Sequence, residues 1–148
     1  MSIVRPHNFY GPRAGYDHAI PQIVGRISSR QEPFDIFGAD ETRSFCYIED
    51  AVEAIHRVME TTATDGGTYH IGTMEETGLT ELVEKIFSIM DWQPKERVHK
   101  NSPEGSVKRR LADVSKIKRD TGWEARTTLE EGLKKTVEWY LSHPQVAG

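Results

Sequence analysis

The chain has 148 residues, 36% of them hydrophobic and 28% charged, with a formal net charge of −4. That length suits one domain, and the acidic balance leaves no electrostatic footprint for nucleic acid. A single cysteine, Cys46, excludes an internal disulfide and a thiolate metal cage.

Residues 2–5 form a short β-like run. The loop over 8–17 carries Gly11, Pro12 and Gly15, as a turn needs. Ile20, Ile23, Val24 and Ile27 recur at helical spacing and predict a helix over 18–29, with Pro21 in its first turn, where the missing N–H costs nothing. Residues 34–37 read as a strand closed by Gly38, residues 38–41 as a turn, and residues 44–48 as a second strand. Asp50 is expected to cap a helix whose apolar stripe is Val52, Ile55 and Met59. Asp65-Gly66-Gly67 breaks the chain before a strand over 68–71. Leu79, Leu82, Val83, Ile86, Phe87 and Met90 form a strong helical stripe, followed by an extended stretch over 97–99. Asp113 caps a short helix over 114–120 that Gly122 stops. The pairs Thr127/Glu130 and Thr128/Glu131 both offer capping-box spacing for a last helix, with the stripe Leu129, Leu133, Val137 and Tyr140, ended by Pro144. The fold class is mixed α/β: a small domain of short strands and about five helices. Trp92, Trp123 and Trp139 are expected as packing anchors, and Cys46 as a buried, inert thiol.

Several blocks carry more than periodicity. Arg5-Pro6-His7-Asn8-Phe9-Tyr10-Gly11-Pro12-Arg13 is followed by His18-Ala19-Ile20-Pro21. Next come Ile36-Phe37-Gly38 and Arg43-Ser44-Phe45-Cys46-Tyr47-Ile48-Glu49-Asp50. Tyr69-His70-Ile71-Gly72, Ala112-Asp113-Val114-Ser115-Lys116, Gly122-Trp123 and Thr128-Leu129-Glu130-Glu131-Gly132-Leu133 complete the set. In this order the blocks resemble the second half of the extended short-chain dehydrogenase/reductase family, the NAD-dependent sugar-nucleotide epimerases and dehydratases. The first block is similar to the family's Arg-x-x-Asn-x-Tyr-Gly-Pro. The third is similar to its Arg-Asp-Phe-x-Tyr-Val-x-Asp, with Ser44 in place of the acidic residue. The segment Ser102-Pro103-Glu104-Gly105-Ser106 departs from the family's Arg-x-Glu-Gly-Asp.

The resemblance implies that residues 1–13 are the last part of a Rossmann half and residues 14–148 a substrate-binding domain. It implies contacts to a nucleotide-sugar substrate from Asn8, His18, Phe37, Arg43 and one of Arg109 or Arg110. An amide N–H₂ donates to diphosphate oxygens, a guanidinium matches them bidentately, and an aromatic ring stacks beside a base. On their own, Asn8 also reads as a turn former, His18 as a cap or surface residue, and Phe37 as core. Pro6 and His7 are expected to border the nicotinamide end of NAD. No catalytic residue and no recognised metal-ligand spacing is identified. The family's Gly-x-x-Gly-x-x-Gly phosphate loop and its Tyr-x-x-x-Lys do not occur in these residues. The expectation is therefore a chain inactive alone, with NAD held mainly by a missing Rossmann half. The alternatives are a stand-alone binding or scaffold protein of the same descent, or one chain of a split enzyme. The remaining expectations are a homodimer, no membrane contact and a cytoplasmic setting, since no signal-peptide pattern opens the chain.

Overall fold

The structure is a computed structural model that describes residues 1–102 and 104–144. In chain order its elements are β1 (Ile3–Pro6), β2 (Phe9–Tyr10), α1 (Ala19–Ser28), β3 (Phe34–Phe37), β4 (Thr42–Arg43), β5 (Cys46–Tyr47) and α2 (Ile48–Glu60). They continue with β6 (Thr68–Ile71), β7 (Thr77–Gly78), α3 (Leu79–Ile89), β8 (Arg97–Lys100), β9 (Arg109–Arg110), α4 (Ser115–Thr121) and α5 (Leu129–Ser142). The class is mixed α/β with five α-helices among the described residues, as the periodicities require. Strands β1 and β6, β2 and β5, and β3 and β8 pair in parallel. Strand β4 lies between β7, antiparallel, and β9, parallel.

Side-chain alternation along β2 and β5 sorts the apolar residues into two cores. Successive strand residues point to opposite faces, and the register sets Phe9 beside Cys46 and Tyr10 beside Tyr47. Tyr10 and Tyr47 enter a core built from α1, α3, α5 and β3, with Ile23, Phe34, Phe87 and Leu133. Cys46 and Phe9 face a second core made with α2, α4 and β6, around Ile71, Ile117 and Trp123. Trp92 packs edge-on against Phe34 and Phe87, and Trp123 donates from its indole N–H to the Asp50 carbonyl oxygen at 3.1 Å. Cys46 is buried, and burial pushes its thiol up to about 12.

The ends of α4 and α5 follow the sequence signals. Thr128 and Glu131 close a reciprocal capping box at the start of α5, and Gly122 ends α4 in the left-handed conformation at φ 68°. Asp113 accepts from the Ser115 backbone N–H at 2.9 Å and so caps α4 from one residue outside its assigned N-cap. Pro103, in the segment that departs from the family pattern, lies outside the described residues.

Three expectations are corrected. The strand expected over 44–48 is shorter: only β5 lies within it, β4 ends before it, and the chain turns helical at Ile48. Asp50 does not cap α2: Tyr47 is the N-cap, and the Asp50 carboxylate, buried in the first turn, accepts from the Thr127 backbone N–H at 2.9 Å. The buried stripe of α2 is Ala51, Ala54 and Val58, while Val52 and Met59 are exposed. A helix laid closely against β5 and β6 takes small side chains at the contact, so the largest apolar residues are not those turned inward.

Candidate functional site

Short strands and their turns bring the polar residues of several blocks to one place. A cavity of about 380 Å³ has Asn8, Arg26, Phe37, Glu41, Arg43 and Ser106 in its wall. A smaller one, about 100 Å³, holds His18 and shares Asn8, Ala19 and Phe45 with it. Cavities of about 400 and 530 Å³ elsewhere are lined by none of the residues singled out from the sequence as substrate contacts.

Asn8 sits between β1 and β2 at φ 43°, a conformation that Asn tolerates better than most residues. Its amide N–H₂ donates to the Ser44 carbonyl oxygen at 2.9 Å, and its backbone carbonyl oxygen accepts from the Cys46 N–H at 3.2 Å. The residue therefore clamps β2 to the segment that carries Arg43. Phe37 closes β3 and is 43% exposed, so it forms an open aromatic wall.

Arg43 is nearly enclosed, and its fork is filled by the protein. Nη2 contacts the Glu41 carboxylate at 2.5 Å and Ser106 Oγ at 3.2 Å, and Nη1 donates to the Thr42 carbonyl oxygen at 2.8 Å. Burial of Glu41 opposes ionisation. Hydrogen bonds from Ser102 and Ser106, together with the Arg43 charge, outweigh it and hold the carboxyl below the usual carboxylate range.

His18 is the exposed N-cap of α1, and its side chain makes no cap hydrogen bond. Arg109 and Arg110 form β9 alongside Thr42 and Arg43, yet neither lines the cavity. Arg109 holds Glu76 at 2.8 Å, and this hydrogen bond is the main cause that lowers the Glu76 carboxyl to about 2. Pro6 ends β1. His7 Nε2 lies 2.6 Å from His70 Nδ1, and the His7 pKa is lowered by burial first, then by His70 and Arg110. The structure thus brings Asn8, Phe37 and Arg43 together and sets His18 in the adjoining cavity. Arg109, Arg110 and His7 are left to other contacts.

Three cavity residues carried no signal in the sequence. Glu41 and Ser106 lie in segments that read as turn or as departures from pattern. Arg26 stands one helical turn after Gln22 on the polar side of α1, and nothing in the spacing sets it apart from a solvated helix face.

Among known proteins, the sequence model of the GDP-mannose 4,6-dehydratase family matches residues 1–136. A dTDP-glucose 4,6-dehydratase from Salmonella typhimurium is 33% identical over 146 residues, covering 93% of this chain and 40% of that protein. A trifunctional UDP-glucose 4,6-dehydratase, epimerase and reductase from Arabidopsis thaliana is 33% identical over 144 residues, covering 95% of this chain and 21% of that protein. A UDP-glucose 4-epimerase from Thermotoga maritima, solved with UDP-glucose, superposes with a TM-score of 0.86 at 32% identity, covering 96% of this chain and 46% of that one. The chain therefore spans less than half the length of these relatives. Among the described residues no helix is long and apolar enough to cross a membrane.

Proposed function

Because the chain belongs to the GDP-mannose 4,6-dehydratase family of NAD-dependent sugar-nucleotide epimerases and dehydratases, we propose that it is the nucleotide-sugar-binding part of such a 4-epimerase or dehydratase. The observation that carries this reading is the shared cavity of Asn8, Phe37 and Arg43, three residues from two separate sequence blocks. In it Phe37 stacks against the base. Arg43, its Nη atoms held by Glu41, Ser106 and Thr42, lends its charge and shape to the wall beside the diphosphate. Asn8 sets the distance between the two strands that hold these groups, and His18 lies in the adjoining cavity, facing the diphosphate.

NAD supplies the hydride acceptor in this chemistry. The residues present do not fit it by themselves: the phosphate-binding glycine loop and Tyr-x-x-x-Lys are absent from the 148 residues. Pro6 and His7, at the end of β1, would border only its edge. The cofactor half is supplied by polypeptide outside these residues, and the part left to this chain is to bind and orient the nucleotide sugar.

Calorimetric titration with UDP-, dTDP-, GDP- and CDP-sugars tests the reading. One of them binds, and Arg43→Ala weakens that binding by about tenfold or more. Absence of binding to every nucleotide sugar, with the cofactor half also supplied, would overturn it.

A further inference from the structure

Arg26 is the least explained cation of the cavity. It projects from the last turn of α1, and its Nη1 donates to the Asp35 carbonyl oxygen at 2.7 Å. Its Nε is buried without an acceptor, and among the described residues Nη2 has no protein partner. No carboxylate among the described residues pairs with it: Asp35 gives its own to Lys100 at 3.0 Å. The guanidinium carbon lies 4.7 Å from the Phe34 ring centre and 5.6 Å from that of Phe37. A partly buried, unpaired cation is costly to keep. Arg43, in the same wall, has its fork filled by Glu41 and its neighbours.

Resting on the function proposed above, we infer that Arg26 reads the nucleobase: its Nη2 donates to a ring-keto oxygen of a base stacked on Phe37, so that the site selects keto bases over amino bases. The guanidinium lies over part of the Phe37 ring, 5.6 Å from its centre, so a flat ring stacked on the rest of that face meets it edge-on. A guanidinium only donates hydrogen bonds. It therefore pairs with O4 of uracil or thymine or O6 of guanine, and at the same edge position leaves the amino group of cytosine or adenine facing a donor. A phosphate would gain nothing from the aromatic wall, and with Nε buried and Nη1 committed to Asp35, only Nη2 is open to a ligand, so the fork cannot grip it bidentately.

The test uses the 148-residue chain in calorimetric titrations with two matched pairs, UDP-glucose against CDP-glucose and GDP-glucose against ADP-glucose. Inorganic pyrophosphate serves as a third probe. In the pair that binds, the keto member is tighter by about tenfold, and Arg26→Gln brings the two within about twofold while pyrophosphate affinity is unchanged. A thermal melt of the variant checks that it folds; if it does not, the wild-type keto/amino ratio decides. Equal binding within a pair, or a preference for the amino member, overturns the inference and leaves the proposed function standing. Loss of pyrophosphate binding in Arg26→Gln also overturns it, by assigning Arg26 to phosphate. Absence of binding to any nucleotide sugar, with the cofactor half also supplied, overturns both.

Discussion

Two pairs of ionic partners show how one residue type takes different roles at different exposure. Arg43 and Glu41 are nearly enclosed, with side-chain exposures of 11% and 6%, and their pairing shapes the cavity. Removing one partner strands the other, so Glu41→Ala costs about 2–4 kcal/mol, read from urea melts. Arg109 and Glu76 make the same chemistry in the open, where solvent screens it and a titration reads it more directly than a melt. The Glu76 carboxyl, held at about 2 chiefly by Arg109 and next by Thr42, rises toward its ordinary value of 4.5 in Arg109→Ala, as a carbon-detected NMR titration measures. Its contribution is present above pH 4.5 and is lost as the pH falls through about 2. His7 runs in the same direction at higher pH. Its folded pKa lies below 6.5, so as the pH falls past 6.5 the unfolded chain takes a proton that the native imidazole refuses. Stability declines accordingly, and the decline between about pH 7.5 and 5.5 is smaller in His7→Phe. Asn8, Phe37 and Arg43 are legible in the sequence because each stands inside a block with a fixed neighbour pattern. Arg26 is not, because its meaning comes from β3 closing over it, a tertiary contact with no local spacing.

At the level of elements, helices announce themselves and short strands do not. Stripes such as Leu82, Val83, Ile86 and Phe87 persist over several turns and fix the inward face of α3. A two-residue strand has no period to read, so β4 escapes notice and β5 is expected over five residues instead of two. On α2 the apolar residues present two candidate faces, and only the approach to β6 selects the alanine face. Asp50 illustrates the cost of assigning a carboxylate by position alone. It joins α2 to the entry of α5, and Asp50→Ala leaves the Thr127 N–H without its acceptor, which costs about 1–3 kcal/mol in denaturant melts. Gly132 is a sharper case, because two effects oppose each other. Alanine in a helix gains about 1 kcal/mol over glycine. A Cβ at Gly132, however, would overlap the hydroxyl and ring of Tyr10. Tyr10 is 4% exposed and is held edge-on by Phe45 and Tyr47, so it has little room to yield. Overpacking of about 1–3 kcal/mol exceeds the helical gain, and Gly132→Ala lowers stability on balance.

For the molecule as a whole, the question is whether its two cores are one cooperative unit. Each is small, and they meet along β2 and β5, where Tyr10 and Tyr47 belong to one core while Phe9 and Cys46 belong to the other. Turning either strand to release one set of side chains necessarily withdraws the other set, since both ride on the same two peptide units. Chains of this size usually unfold in a single step, and a shared strand pair gives that behaviour a structural cause here. Trp92 and Trp123 provide separate probes, being packed in and against different cores. Fluorescence of variants that keep Trp92 or Trp123 as the single tryptophan, with Trp139 replaced, therefore follows coincident urea transitions. The Cys46 thiol gives an independent measure. With no exposure and its pKa pushed up to about 12, it is a poor nucleophile while both cores are closed. Its labelling rate in rising urea therefore parallels the same transition. Labelling at low urea, ahead of the Trp92 signal, would mean that the α2–α4 core opens on its own and that β5 does not couple the two.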